Sequence, residues 1–276
     1  MFSRVYIEIT NVCNKSCSFC PKTKRTPKLM SEEEFDTVTE RLKGVTGYIY
    51  YHLMGEPTTH PQLAKFIKIA KSKGFKSAVT TNGSLLHKTG DALIQSGVYK
   101  VNISLHSFEN GSLDEHKSYI SECLSFAEKA SSAGVLVVLR LWNGGAQTTY
   151  NEITESLIRE RFGEPESTSV RGKRLKNKLH LEYADRFSWP DKEKSELGER
   201  VFCHGLGDHF GVLCDGTVVP CCLDHEGDIP LGNIFEQDIR DILSCRRARA
   251  IKEGFEQKIA TEQLCRKCGY ARRFKI

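Results

Sequence analysis

The chain has 276 residues, of which 27% are charged, and a net charge of +5, a balance that allows one large or two modest soluble domains. Its start lacks a signal-peptide pattern, and no apolar stretch approaches the roughly 20 residues of a membrane-spanning helix. We therefore expect a cytoplasmic protein whose eleven cysteines serve as metal ligands or catalytic thiols. Nucleic acid is not an expected partner, because the basic runs at 22–28 and 171–178 lack interleaved aromatic residues.

Short β-rich runs alternate with segments of helical period through the first 185 residues. Strands are predicted at 5–10, 48–55, 76–83, 100–107, 135–142 and 178–184, and helices at 31–43, 61–73, 85–96, 114–132 and 150–162. Ser31 and Glu34 have the spacing of a helix capping box. This succession predicts an α/β fold with a parallel sheet, a partial (β/α)6 TIM-like barrel whose chemistry lies at the carboxyl ends of its strands.

The pattern changes after Trp189 and Pro190. Two short strands are predicted around Asp215-Gly216, followed by a helix near 236–252. We place a domain boundary near residue 200, which separates the barrel (1–200) from a small α+β module (201–276). Because such a module has little core of its own, we expect a metal to stabilise it.

Cys13, Cys17 and Cys20 lie in a loop, residues 11–28, that follows the first strand. Three thiolates can hold three irons of a four-iron cluster and leave the fourth iron open as a reaction site. A zinc site completed by His52 or His60 is the alternative, although C-x3-C-x2-C is not a usual zinc spacing.

The three cysteines, with Phe19 before the last, resemble the signature of the radical S-adenosylmethionine (SAM) superfamily. LMGEP at 53–57 and TTNGSLL at 80–86 are similar to two further segments of that family, with Met54 in place of a glycine. The resemblance implies a [4Fe-4S] cluster that binds SAM and cleaves it to a 5′-deoxyadenosyl radical, which abstracts a substrate hydrogen. It also implies a set of SAM-binding residues, namely Met54, Gly55 and Glu56 for the ammonium group, Thr81 and Asn82 for the nucleoside, and Ser104 and Arg140 for the ribose or carboxylate.

A second cysteine set resembles the SPASM and twitch modules of that superfamily, which hold auxiliary iron–sulfur clusters. By this resemblance the ligands of one auxiliary [4Fe-4S] cluster are Cys203, Cys221, Cys265 and Cys268. The glycine spacing selects Cys221 over Cys222, and strand alternation points these two neighbours to opposite faces. Four ligands leave no iron open, which favours an electron conduit; a zinc ribbon remains the alternative.

Substrate-pocket residues are predicted from strand alternation. If Ser104 and Arg140 point into the barrel, His106 and Trp142 share their face, and His52 and Glu182 end their strands at a similar depth. His52, His106 and Glu182 are then candidates to accept a proton during catalysis. The alternative is that these are ordinary polar residues of the barrel interior.

The resemblance implies an oxidoreductase that modifies a peptide or protein, in the manner of natural-product peptide maturation, and that receives electrons from a flavodoxin or ferredoxin. Because the first strand begins almost at Met1, we expect no leader-peptide recognition domain. That expectation keeps a small-molecule dehydrogenase acting on a sugar-like alcohol as an alternative. A non-catalytic iron–sulfur or zinc scaffold is the alternative of a different class.

Overall fold

A single mixed sheet organises the chain. The computed structural model describes residues 1–144, 149–169 and 172–274. The sheet has eleven strands in the order β11-β10-β9-β1-β2-β3-β4-β5-β8-β7-β6. The strands are β1 (Arg4–Ile7), β2 (Tyr48–Tyr51), β3 (Lys76–Thr81), β4 (Lys100–Ser104), β5 (Leu136–Gly144), β6 (Glu166–Ser167), β7 (Gly172–Lys176), β8 (Leu179–Asp185), β9 (His209–Val212), β10 (Thr217–Val219) and β11 (Gly232–Asn233).

Helices connect the strands. They are α1 (Glu32–Arg41), α2 (Leu63–Ser72), α3 (Leu86–Gln95), α4 (Leu113–Ser132), α5 (Thr149–Phe162), α6 (Ile239–Leu243), α7 (Arg246–Glu256) and α8 (Gln263–Arg266). The six predicted strands are β1 to β5 and β8, and each pairs in parallel with its neighbour. The expected partial barrel is therefore confirmed.

Each strand separates an apolar face from a polar one. On β1 the side chains of Val5 and Ile7 are fully buried, whereas Arg4 and Tyr6 face the barrel interior and line a cavity. The apolar face packs against helices, as where the ring of Phe35 on α1 stacks on Phe66 of α2 at 4.4 Å between centroids. Because side chains alternate between the two faces of each strand, the barrel has a polar interior and an apolar outer face that packs against the helices.

Helix α1 begins at the predicted capping box. The Ser31 hydroxyl accepts a hydrogen bond from the Glu34 amide, and the Glu34 carboxylate accepts one from the Ser31 amide. This reciprocal pair satisfies two of the amide groups that have no partner within the helix.

The carboxyl-terminal segment continues the sheet, which the sequence did not predict. Strand β9 pairs in parallel with β1, with Val5 opposite Phe210 and Ile7 opposite Val212. Strands β10 and β11 then pair antiparallel beyond it. The pairing satisfies the backbone groups on the free edge of β1, which would otherwise be exposed.

Most of the second basic run, residues 171–178, lies on strand β7. Lys173, Arg174 and Lys176 lie on β7, which pairs antiparallel with β8, and Arg171 is outside the described residues. Arg174 pairs with Glu166, and Lys176 Nζ lies 2.8 Å from Glu128 Oε1. The charged side chains occupy the end of the sheet, where they discourage further strand addition.

No helix in residues 1–144, 149–169 or 172–274 is both long and apolar enough to cross a membrane.

Candidate active site

A cavity of about 540 Å³ extends from the barrel interior to the carboxyl-terminal cysteines. This volume lies within the range of small-molecule and cofactor sites. Among its lining residues are most of the predicted site residues, namely Phe19, His52, Ser104, His106, Arg140, Glu182, Cys203, Cys221, Cys265 and Cys268. The strands therefore bring the barrel candidates and the second cysteine set to one space.

The loop that carries the first cysteine set is closed at its base. The Asn11 side chain donates to the carbonyl of Thr26 at 2.9 Å and accepts from the amide of Lys28 at 2.8 Å. At its tip the Ser18 hydroxyl donates to the Glu109 carboxylate, beyond the end of β4. The loop is thus held over the carboxyl ends of the strands.

The three thiols of this loop are neighbours. Cys13 and Cys20 both interact electrostatically with Cys17, and the Lys15 amide donates to Cys13 Sγ at 3.4 Å. Burial raises the pKa of Cys17 to about 11, so the free thiol keeps its proton at neutral pH.

The end of β2 lies directly beneath this loop. Gly55 has φ +73°, and a Cβ at this position would lie 2.2 Å from the Thr10 carbonyl oxygen. The Glu56 carboxylate is buried and accepts hydrogen bonds from the amides of Thr58 at 3.0 Å and Asn82 at 2.6 Å. Glu56 therefore joins the end of β2 to the end of β3, and its oxygens already have partners within the protein.

Replacing Gly55 by alanine should destabilise the protein by about 2 kcal/mol or more and weaken SAM binding at least tenfold, because left-handed strain adds to a backbone clash. Gly44→Ala is the matched control, since Gly44 has φ +75° and a Cβ added there would have nothing within 4 Å. Thermal unfolding and equilibrium SAM binding measure both effects. Equal SAM affinity of the two variants would contradict a SAM-binding role for this turn.

Thr81 and Asn82, the two residues expected near the nucleoside, lie at and just after the end of β3 and have different surroundings. Thr81 is buried, and its hydroxyl accepts a hydrogen bond from the Gly83 amide at 3.0 Å. Thr80, one residue earlier, lines the cavity instead. Asn82 lies next to the first cysteine set, because its Nδ2 is 4.0 Å from Cys13 Sγ and 2.9 Å from Asn14 Oδ1. The side chain of Thr81 thus shapes the turn, and Thr80 faces the space in which a ligand fits.

Arg140 projects into the middle of the cavity. Its Nε lies 3.5 Å from Glu182 Oε2, and its guanidinium carbon lies 4.4 Å from the centre of the Trp142 ring. Ser104 lies opposite Arg140 in the register of β4 and β5. Arg140 Nε and Trp142 Nε1 are both buried without a hydrogen-bond partner within the described residues. The Trp142 donor is available to an acceptor group of a ligand, whereas Arg140 Nε faces the Glu182 carboxylate.

The two histidine candidates are neutral at pH 7. Burial, with a smaller contribution from Arg140, lowers the pKa of His52 to about 4. Burial also lowers the pKa of His106 to about 4. His106 lies in the 3-10 turn after β4 rather than on the strand as predicted, and its Nδ1 is 3.1 Å from the Arg140 carbonyl oxygen. Its ring centre is 5.0 Å from that of Phe19.

The four predicted thiols of the carboxyl-terminal segment converge. Cys221 interacts electrostatically with Cys203, Cys265 and Cys268. Cys265 also interacts with Cys203 and Cys268, and Cys203 with Cys268, so every pair of the four is close. Burial raises the pKa of all four thiols.

The remaining cysteines have other neighbours. Cys222 contacts the Tyr6 hydroxyl and packs beside Leu53, Leu213 and Val219. Cys245 caps α7 by accepting from the Ala248 amide at 3.4 Å. Cys214 Sγ lies 3.9 Å from an Arg25 nitrogen, and Cys123 is buried beneath the Gly83 carbonyl. Cys221 and Cys222 both lie beyond the end of β10 and both line the cavity, so the predicted strand alternation does not separate them; their different neighbours do.

The two cysteine sets fit iron–sulfur clusters better than they fit single metal ions. Within the described residues, no three His, Cys, Asp or Glu side chains are close enough to bind one metal ion. Cluster ligands bind separate irons and are more widely spaced. His60 is not available to complete a zinc site, because its Nε2 lies 3.0 Å from the Met30 carbonyl oxygen and its Nδ1 accepts from the Gln62 amide at 3.1 Å.

Sequence reasoning missed a buried ion pair beneath the cysteine loop, outside the cavity wall. Glu8 Oε2 lies 2.7 Å from an Arg25 nitrogen and 3.1 Å from the Met54 amide. Its other oxygen accepts from the Cys214 amide at 3.2 Å, and Arg25 Nε donates to the His225 carbonyl at 2.9 Å. A glutamate within the apolar run before the cysteine loop was the signal available for it. The pair joins the cysteine loop, the end of β2 and the carboxyl-terminal segment.

Comparisons with known proteins agree with this geometry. Residues 7–157 match the family model of the Radical SAM superfamily, and residues 203–269 match SPASM, an iron–sulfur cluster-binding domain. The chain is 31% identical over 109 residues to GTP 3′,8-cyclase of Chlorobaculum tepidum, a match that covers 38% of this chain and 33% of the cyclase. It is 24% identical over 288 residues to the sporulation killing factor maturation protein SkfB of Bacillus subtilis, with 89% of this chain and 66% of SkfB covered.

Among solved structures, BtrN in complex with AdoMet and 2-DOIA shares the fold with a TM-score of 0.63 at 19% identity. That superposition covers 97% of this chain and 93% of BtrN. The superfamily model spans more than half of the chain, and the cysteine sets lie where the two models match. The chain therefore belongs to the radical SAM superfamily and carries a carboxyl-terminal SPASM iron–sulfur cluster-binding domain.

Proposed function

We propose that the chain modifies a peptide or protein by hydrogen abstraction and one-electron oxidation of the resulting radical. As in its family, the cofactors are SAM, a [4Fe-4S] cluster and auxiliary iron–sulfur binding in the SPASM domain. We assign the SAM-binding cluster to Cys13, Cys17 and Cys20, and one auxiliary [4Fe-4S] cluster to Cys203, Cys221, Cys265 and Cys268. We also keep residue 200 as the division between the two domains.

The observation that carries this proposal is the shared cavity. The four carboxyl-terminal cysteines line the same space as Ser104, His106 and Arg140. When bound, SAM and its cluster supply the one-electron chemistry that removes a hydrogen atom from the substrate. Cys203, Cys221, Cys265 and Cys268 would hold a cluster able to accept one electron from a substrate radical, and a base in the cavity wall would take the proton.

His106 is our first choice for that base, with His52 and Glu182 as further candidates. His106 is neutral at pH 7, because burial keeps its pKa at about 4. Its position is fixed by the backbone of β5, where the Trp142 amide lies 3.3 Å from Nδ1. The aromatic residues Phe19, Trp142, Phe187 and Trp189 line the wall and limit access of water.

The extent of the similarity to SkfB favours a peptide substrate. The similarity to SkfB, named as a maturation protein, covers 89% of this chain, whereas the cyclase match covers 38%. We infer that a flavodoxin or ferredoxin supplies the first electron and that the enzyme works in the cytoplasm. A small-molecule dehydrogenase is the second candidate, because the barrel interior offers charged and polar groups such as Arg140 and Glu182.

Deuterium transfer to 5′-deoxyadenosine distinguishes these substrates. The reconstituted enzyme is incubated anaerobically with SAM and dithionite, together with either a deuterated peptide pool or a deuterated pool of small metabolites. We expect 5′-deoxyadenosine one mass unit heavier from the peptide pool. Label from the metabolite pool alone would favour the dehydrogenase, and no 5′-deoxyadenosine from a fully loaded enzyme would refute the enzymatic proposal.

The two adjacent cysteines should behave differently. Cys221→Ser should lower the iron content from about eight to about four per chain, because it removes one ligand of the auxiliary cluster. Cys222→Ser should keep about eight, since its hydroxyl can replace the contact with Tyr6. Iron and sulfide analysis of both variants is the measurement. Iron loss in Cys222→Ser alone would make Cys222 the ligand in place of Cys221. Equal iron loss in both variants would contradict the distinction between them.

A further inference from the structure

Lys100 is a charged residue of the cavity wall that the proposed reaction does not use. It begins β4 and shares that strand's cavity face with Ser104. At about 3.3 Å per residue, Lys100 lies about 13 Å along the strand from Ser104. The side chain is therefore deep in the barrel, away from the first cysteine set.

The ammonium group of Lys100 has no hydrogen-bond or ion-pair partner among the residues that the structure describes, and it is partly buried. Its charged neighbours are Arg140, Glu182 and Arg4. Burial and the two arginines lower the pKa of Lys100, against the effect of Glu182. A partly buried cation beside two others is unfavourable unless an anion joins it.

The other cations of the cavity wall have counterions. Arg4 lies 2.7 Å from Asp208 Oδ2, Arg186 lies 3.5 Å from Glu109 Oε1, and Arg140 lies 3.5 Å from Glu182. Of the four histidines in the wall, His52, His106 and His209 add no charge at pH 7, because burial lowers the pKa of each to about 4; His204 is the fourth. Lys100 is thus the cation of this wall for which the described residues supply no separate counterion.

SAM does not supply the missing anion. Its ammonium and sulfonium groups carry two positive charges and its carboxylate carries one negative charge, so SAM has a net charge of +1. Iron–sulfur clusters held by thiolates would be anionic, but no cysteine is among the charged neighbours of Lys100, which are Arg140, Glu182 and Arg4. Trp142 Nε1 offers a further donor that has no hydrogen-bond partner among the described residues, on the neighbouring strand. The interior is therefore arranged for a ligand that brings negative charge and hydrogen-bond acceptors.

We propose that Lys100 binds an anionic group of the substrate, and that the substrate is consequently acidic. This inference rests on the proposed function for the identity of the cavity as the substrate site. The anion is a carboxylate, as on an acidic peptide side chain or chain end, or a phosphate on a small molecule. Lys100 fixes the substrate by this anion and leaves a carbon nearer Ser104 to react.

Anion binding to the holoenzyme with SAM bound tests the proposal, with glutarate and inorganic phosphate as probes and uncharged glutaramide as the control. By calorimetry, Lys100→Met should weaken anion binding about tenfold or more, because a charge-assisted hydrogen bond is lost. Lys100→Arg should retain affinity within about threefold. Tighter binding of glutarate indicates an acidic peptide, and tighter binding of phosphate indicates a phosphorylated small molecule.

Lys76→Met is the matched control, since Lys76 begins the neighbouring strand β3 but is exposed and outside the cavity wall. It should bind both anions as the wild type does. Lys100→Met should also melt at the same or a higher temperature, because an unpaired, partly buried charge is removed. Absence of anion binding by the wild type, unchanged binding by Lys100→Met, or a lowered melting temperature would overturn the proposal. None of these outcomes depends on which pool supplies deuterium in the substrate experiment.

Discussion

Replacing Cys13, Cys17 and Cys20 together by alanine should abolish release of 5′-deoxyadenosine and lower the iron content from about eight to about four per chain. The three thiols are neighbours in one closed loop, so their loss removes one cluster site and leaves the four carboxyl-terminal cysteines intact. Anaerobic reconstitution followed by iron, sulfide and nucleoside analysis measures both quantities.

Cys245→Ser is the matched control for this experiment. Cys245 caps α7 through its side chain, and serine is a favourable capping residue, so the helix keeps its cap. The control should retain about eight irons and full release of 5′-deoxyadenosine. Iron content near eight in the triple variant would show that these cysteines do not hold a cluster.

Arg25→Met should produce the largest loss of local stability, about 3 to 5 kcal/mol, because it leaves the Glu8 carboxylate buried without its counterion. Hydrogen exchange in the holoenzyme should accelerate about 100-fold or more in residues 24–28 and 213–226, which the pair joins. The Glu8→Gln/Arg25→Met double variant should be less affected than Arg25→Met, because glutamine removes the unpaired charge.

Arg174→Met serves as the control for the same substitution in an exposed pair with Glu166. It should cost no more than about 1 kcal/mol, since exposed ion pairs contribute little. Exchange in α2 should stay unchanged in all of these variants. If Arg25→Met and Arg174→Met had equal effects on residues 24–28, the Glu8–Arg25 pair would not hold the loop.

Features encoded by neighbouring residues could be predicted from the sequence. The capping box of Ser31 and Glu34 depends on a spacing of three, and the cysteine sets depend on spacings within short segments. The six parallel strands follow from the regular succession of two hydrophobic periods. The left-handed turn at Gly55 follows from a glycine in a short motif.

It was harder to predict which face of a strand each residue occupies and at which residue a strand ends. A shift of one residue exchanges the two faces of a strand, and this is why Thr80 rather than Thr81 lines the cavity. Strand β4 ends at Ser104, so His106 reaches the cavity from a turn rather than by alternation. No glycine or proline directly follows Ser104 to mark the end of β4 in the sequence.

Contacts between distant segments left no local signal. Glu8 meets Arg25 and Cys214 only because β9 lies next to β1. The isolation of Lys100 depends on where three other strands place their charged residues. Such arrangements emerge from tertiary packing, which a single sequence does not reveal.

The pairing of β9 with β1 has a consequence for synthesis of the protein. About 200 residues separate these partners, and contacts of such long sequence separation form slowly. A nascent chain that has emerged only as far as β8 presents an open edge at β1 and lacks the Cys214 amide as a partner for Glu8. We therefore expect the β1 edge of the barrel to stay open during synthesis until β9 has emerged and paired with it.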